Sequence, residues 1–94
     1  MEVKVRLPAI LREFADGESV LTVPLDDDAT VGALLDRLAA ERPALERRIR
    51  NERGALRQHV NVFVGDTNAR DGGGLAMALP PGVEVQVIPA VSGG

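Results

Sequence analysis

The sequence predicts an α+β fold: one mixed sheet of four to five strands with one main helix packed on one face. Three observations carry that expectation. Apolar residues alternate with polar or outward ones in Glu2-Val3-Lys4-Val5-Arg6, Val60-Asn61-Val62-Phe63-Val64 and Val83-Glu84-Val85-Gln86-Val87, the period of half-buried strands. One stretch switches to the helical period, with Val31, Leu34, Leu35 and Leu38 at i, i+3, i+4 and i+7. The 94 residues, 45% apolar and 27% charged, suit a single globular domain with one modest core.

The first strand covers Val3, Val5 and Leu7 and stops at Pro8. A loop from Ala9 to Glu18 carries the turn signal Asp16-Gly17, and Ser19–Leu25 reads as the second strand of an antiparallel hairpin. Thr30 is a good N-cap for a helix over Val31–Glu41, which ends there because Pro43 disfavours helical geometry in the residue before it. Pro43 can open a short second helix with Leu45 and Ile49 on one side, and Gly54 closes that region. The third strand is Val60–Val64. After Gly65-Asp66 comes an edge segment, Thr67–Arg70, then the Gly72-Gly73-Gly74 loop and a helical turn over Leu75–Leu79. Pro80-Pro81-Gly82 turns the chain into the last strand, Val83–Val87. The first and last strands are the natural central pair and would run parallel, as the helical crossover permits. Residues 1–88 are thus expected to form the domain and 89–94 a flexible tail ending in Gly-Gly.

Composition excludes much chemistry. With no cysteine there is no disulfide, thiolate metal site, iron–sulfur cluster or cysteine nucleophile. His59 alone builds no multi-histidine metal site. The net charge of −3 and only two aromatics, Phe14 and Phe63, disfavour nucleic acid as a partner. No apolar run is long enough for a bilayer, and the charged start Glu2-Val3-Lys4-Val5-Arg6 does not suit a signal peptide, so a cytoplasmic location is expected. Asp26-Asp27-Asp28 has no EF-hand spacing and is better placed to favour the following helix N-terminus than to bind metal. Gly72-Gly73-Gly74 lacks the Gly-Lys-Ser/Thr of a phosphate loop. The arginines from Arg42 to Arg57 read as a solvated helix and loop, or, more pointedly, as a docking face for an acidic partner.

Hairpin, helix, strand pair and Gly93-Gly94 together resemble the β-grasp, ubiquitin-like sulfur carriers of the MoaD/ThiS family. Within it, Leu7-Pro8-Ala9-Ile10-Leu11-Arg12, Val60-Asn61-Val62-Phe63-Val64 and Ile88-Pro89-Ala90-Val91-Ser92-Gly93-Gly94 look closest to the CysO-type carriers of cysteine biosynthesis; Gly73-Gly74-Leu75-Ala76 falls where those carry a similar stretch. The resemblance implies a carrier rather than an enzyme, with no bound cofactor. A ubiquitin-activating-type adenylating enzyme (MoeB/ThiF-like), using ATP and Mg, would adenylate Gly94. A sulfur donor such as a rhodanese or cysteine desulfurase would leave a thiocarboxylate there, and an acceptor synthase would consume the sulfur. In CysO-type systems a metalloprotease then releases cysteine.

The tail suits that chemistry in its own right. A carboxylate is a poor electrophile, and joining it to AMP supplies a leaving group. Glycine without Cβ lets backbone pass close to ligand and wall at Gly93 and Gly94. Pro89 stiffens the exit, and six extended residues from it through Ala90, Val91 and Ser92 reach roughly 20 Å. By strand parity Phe63 and Ile88 point away from the core on neighbouring strands, an expected partner-binding patch. Three other functions remain open: the small subunit of molybdopterin synthase, a ubiquitin-like modifier conjugated through Gly94, and a plain binding module with an inert tail. The single lysine, Lys4, gives the modifier little scope for lysine-linked chains.

Overall fold

The computed structural model describes residues 1–89. Its strands are β1 (Glu2–Arg6), β2 (Val20–Pro24), β3 (Val60–Val64), β4 (Thr67–Asn68) and β5 (Glu84–Pro89), and its helices α1 (Val31–Glu41) and α2 (Pro43–Arg47). They form one sheet in the order β2-β1-β5-β3-β4. The hairpin is antiparallel, with Val5 opposite Leu21, while β1 and β5 run parallel with Val5 opposite Val85. The central pair is therefore the expected one. β3 lies antiparallel to β5, pairing Val62 with Val87 and Val60 with Pro89.

One face of this sheet is the core. Val3, Val5, Val62, Val85 and Val87 are buried there against Leu34, Leu35 and Leu38 of α1, as the two periodicities require. Burying each such side chain stabilises the fold by about 1.5–3 kcal/mol before entropy is counted. Thr30 caps α1: its Oγ1 accepts the Ala33 N–H at 3.2 Å. α1 has the predicted bounds. Gly32 is needed for a different reason, since a Cβ there would sit 3.1 Å from the Leu75 carbonyl oxygen of the 3-10 turn Gly74–Ala76 that packs on α1.

Several boundaries differ from expectation. The Ala9–Glu18 loop holds a 3-10 helix, Ala9–Ala15, because Leu11 and Ala15 fall on one side and bury against the core. It stops at Asp16 (φ 56°) and Gly17 (φ 84°), a left-handed pair that Asp tolerates and Gly adopts freely. β2 is shorter than Ser19–Leu25, and β4 keeps only Thr67 and Asn68 of its segment. β5 is shifted: Val83 precedes it, half-buried, and Pro89, expected to open the tail, closes the strand opposite Val60. Among the described residues, no side chain of the Asp26–Asp28 run accepts a hydrogen bond from the start of α1, where Thr30 serves. Asp27 instead meets the Met1 amino group at 3.1 Å.

The basic stretch is not wholly solvated. Arg50 turns inward, and its Nε donates to Glu46 Oε2 at 2.7 Å while a second nitrogen donates to Asp36 Oδ1 at 2.9 Å. Burial disfavours the Arg50 charge, but the hydrogen bonds and charges of Glu46 and Asp36 more than offset it, and the guanidinium is held above its ordinary pKa. This network ties α2 to α1.

Candidate functional site at the carboxyl end of the last strand

β5 lies in the middle of the sheet, held by β1 on one side and β3 on the other, so whatever follows Pro89 starts from a rigid point. Because β1 and β5 are parallel, that point lies at the end of the sheet where β1 passes through Leu7 into the 3-10 helix. Ile10, Leu11, Glu13 and Phe14 of that segment meet Arg48, Val60, Val87 and Pro89 around a groove of about 330 Å³. The Arg48 guanidinium stacks 4.7 Å from the centre of the Phe14 ring. Arg70 donates from one guanidinium nitrogen to the carbonyls of Arg57 and Val60, the latter at 2.8 Å, and Arg57 Nε donates to the Arg47 carbonyl at 2.8 Å. Arginines thus surround the residue paired with Pro89.

Among the described residues the other face of the sheet carries no helix, and the alternate residues of β1, β2 and β5 are exposed there or nearly so. Phe63 and Ile88 share it on adjacent strands: Phe63 pairs with Gln86 and Asn61 with Ile88, which sets the two apolar side chains on a diagonal. Both are half-buried rather than open. Across the same face, Arg6 Nε donates to Glu84 Oε1 at 2.8 Å. That hydrogen bond holds the Glu84 carboxyl below its ordinary pKa of 4.5; a smaller desolvation effect opposes it, and the charges of Arg6 and Lys4 add to the lowering.

Of the residues expected at the site, Pro89 closes β5, Ile88 precedes it, and Phe63 lies on β3 opposite Gln86. Ala90, Val91, Ser92, Gly93 and Gly94, the sulfur-attachment residue among them, lie outside the described residues. His59 is exposed at the foot of β3. Among the described residues no group of three or more His, Asp or Glu could hold a metal ion, and no helix is long and apolar enough to cross a membrane. Ile10 and Phe14 were not expected at a site, and Arg48 only as one of the basic stretch read as solvated or as a docking face. The signal for them was the Leu7, Leu11, Phe14, Ala15 spacing, a hint that the loop is helical and anchored.

Comparison with known proteins accords with this geometry. The ThiS family model matches residues 5–94. The sulfur carrier protein CysO of Mycobacterium tuberculosis is 35% identical over 96 residues, covering all of both chains. The small archaeal modifier protein 1 of Haloferax volcanii is 41% identical over 91 residues, 95% of this chain and 97% of that one. Among solved structures, the CysO of Amycolatopsis orientalis in its BexX/CysO complex superposes with a TM-score of 0.81 at 33% identity, covering 98% and 99% of the two chains. A family of small ubiquitin-like carriers and modifiers is common to these matches, and the chain belongs to the ThiS family.

Proposed function

We propose that this chain is a sulfur carrier whose Gly94 carboxylate is adenylated and then converted to a thiocarboxylate that supplies sulfur for a biosynthetic product, cysteine in the CysO-type reading. The observation that carries this is the end-to-end likeness to CysO together with Gly93 and Gly94 following four and five residues after the last residue of the central strand. A carboxylate oxygen of Gly94 attacks the α-phosphorus of ATP and pyrophosphate leaves. A hydrosulfide equivalent then adds to the acyl carbon, and the bond to AMP breaks. The chain contributes placement: a terminus delivered from a fixed strand, slim enough at Gly93 and Gly94 to enter a narrow site. Adenylating enzyme, sulfur donor, acceptor synthase and metalloprotease supply the chemistry, ATP and Mg belong to the first of them, and the carrier works in the cytoplasm as their co-substrate.

A second reading, a protein modifier joined through Gly94 to lysines, is favoured by the 39% and 41% identity to small archaeal modifier proteins 3 and 1 of Haloferax volcanii. Intact-mass spectrometry after incubation with the activating enzyme, ATP and sulfide separates the two. The carrier gains the mass of sulfur replacing oxygen; a modifier appears joined to lysines of other proteins when returned to a host lysate. Deleting Gly93 and Gly94 should abolish loading, and one residue added after Gly94 should nearly do so, since it moves the carbonyl by about 3.5 Å. Loading of the truncated chain, or none of the intact chain by any cognate enzyme, overturns the carrier reading.

A further inference from the structure

The collar around Pro89 has features that a tail alone does not require. Ile10 is 70% exposed and is the only large apolar side chain so exposed among the described residues. It borders the groove whose floor includes Phe14, Val87 and Pro89. Arg48 lines the same groove, oriented by the Phe14 ring, and Arg70 reaches its wall at the Val60 carbonyl, next to the Arg57 that backbone carbonyls also hold. Among the described residues, none of the three has a carboxylate within 4.0 Å. Glu13, on the groove's rim, does not pair with them.

This positive end is not a consequence of overall charge, because the chain carries −3. The arginines are gathered locally instead. Asp26, Asp27 and Asp28 follow β2 at the end of the sheet where Pro24 pairs with Glu2, while Arg48, Arg57 and Arg70 gather at the other, where β5 ends; Glu13, Asp16 and Glu18 share that end, and Asp16 is taken up by Arg42. Unpaired guanidiniums held in fixed positions lose little entropy on meeting carboxylates. Such charges raise the rate of encounter and select orientation more than they add raw affinity.

We propose that this collar is a docking surface for the enzyme that loads the tail: an acidic protein surface that seats one apolar side chain in the groove beside Ile10 and sets carboxylates against Arg48, Arg57 and Arg70. The inference rests on the carrier reading above. It adds a site at the tail's root, apart from the Phe63 and Ile88 face, which orients β5 before the terminus reaches the nucleotide.

The test uses the full chain with the activating enzyme of its own genome, ATP, Mg and sulfide, following loading by intact mass against carrier concentration. Ile10→Glu and Arg48→Glu should each raise KM by about tenfold, while kcat stays within about twofold, because the tail and its carboxylate are untouched. Raising salt should raise the wild-type KM, and Arg48→Glu should flatten that dependence. Circular dichroism melts establish that both variants are folded. Unchanged KM in folded variants, with the wild type loaded normally, overturns the collar alone. Failure of the wild type to load with any cognate enzyme overturns the carrier reading and the collar with it. A concentration-dependent dimer in sedimentation that Ile10→Glu abolishes would assign the groove to a second copy and overturn the acidic-partner assignment.

Discussion

Replacing Arg50 by Leu should be among the most damaging single changes in this domain. Its side chain is 11% exposed and that of Glu46 12%, so removing the guanidinium leaves the Glu46 carboxylate nearly buried without its 2.7 Å partner. Asp36, 74% exposed, loses a contact but can turn to water. Breaking a buried pair from one side costs about 3–5 kcal/mol, and the residual exposure of Glu46 argues for the lower end, about 3 kcal/mol. For a domain of this size that lowers Tm by roughly 12–24 °C. Replacing both partners, Glu46→Leu with Arg50→Leu, removes the stranded charge and should recover most of the loss. Urea unfolding of the two single variants and the double variant measures the cycle. A single-variant loss below about 1 kcal/mol, or a double variant no more stable than the Arg50 single, would refute the reasoning.

Thr30→Ala removes the acceptor for the Ala33 N–H and should cost about 1 kcal/mol, read as a fall in Tm of roughly 4–8 °C; no change would mean water serves that end of α1 equally well. Replacing Phe63 and Ile88 together by Ser should leave the fold intact, since neither lines the core, and weaken binding to the activating or acceptor enzyme by about 1–3 kcal/mol; equal affinity by calorimetry disposes of that patch. The Glu84 carboxyl should titrate below 4.5 by NMR, and Arg6→Gln should move its midpoint upward. Because its folded pKa is depressed, the ion pair contributes in full above 4.5 and is lost as pH falls through the lower folded value, so the pair protects the central strands only above that window. An unmoved midpoint would show that Arg6 is not the cause.

Much of the fold was legible because its signals are local. Alternating valines and the Val31, Leu34, Leu35, Leu38 stripe fix which faces bury, and Thr30 and Pro43 mark the limits of α1. What was illegible depends on distant partners. The loop of Ala9–Glu18 becomes helical because Leu11 and Ala15 find the core, which no propensity announces. Arg50 sits among arginines that read as solvated, and only the approach of α1 brings Asp36 to it. Phe63 and Ile88 were correctly set on the outer face by parity, yet their half-burial comes from neighbours across the strands. Where the arginines gather likewise requires the register of β3 against β5, which sets Val60 opposite Pro89.

That shared direction also fixes how the molecule bears load. The first and last strands are hydrogen-bonded neighbours pointing alike, so tension applied between Met1 and the end of β5 acts along the bonds' rows rather than across them. Such strands must slide past one another, breaking their rungs together, whereas a hairpin pulled from its open end unzips one rung at a time. β3, on the far side of β5, resists the same displacement through its own pairing from Val60 to Val64. A pull on the chain at Pro89 against a hold at Met1 therefore meets both neighbours of β5 at once.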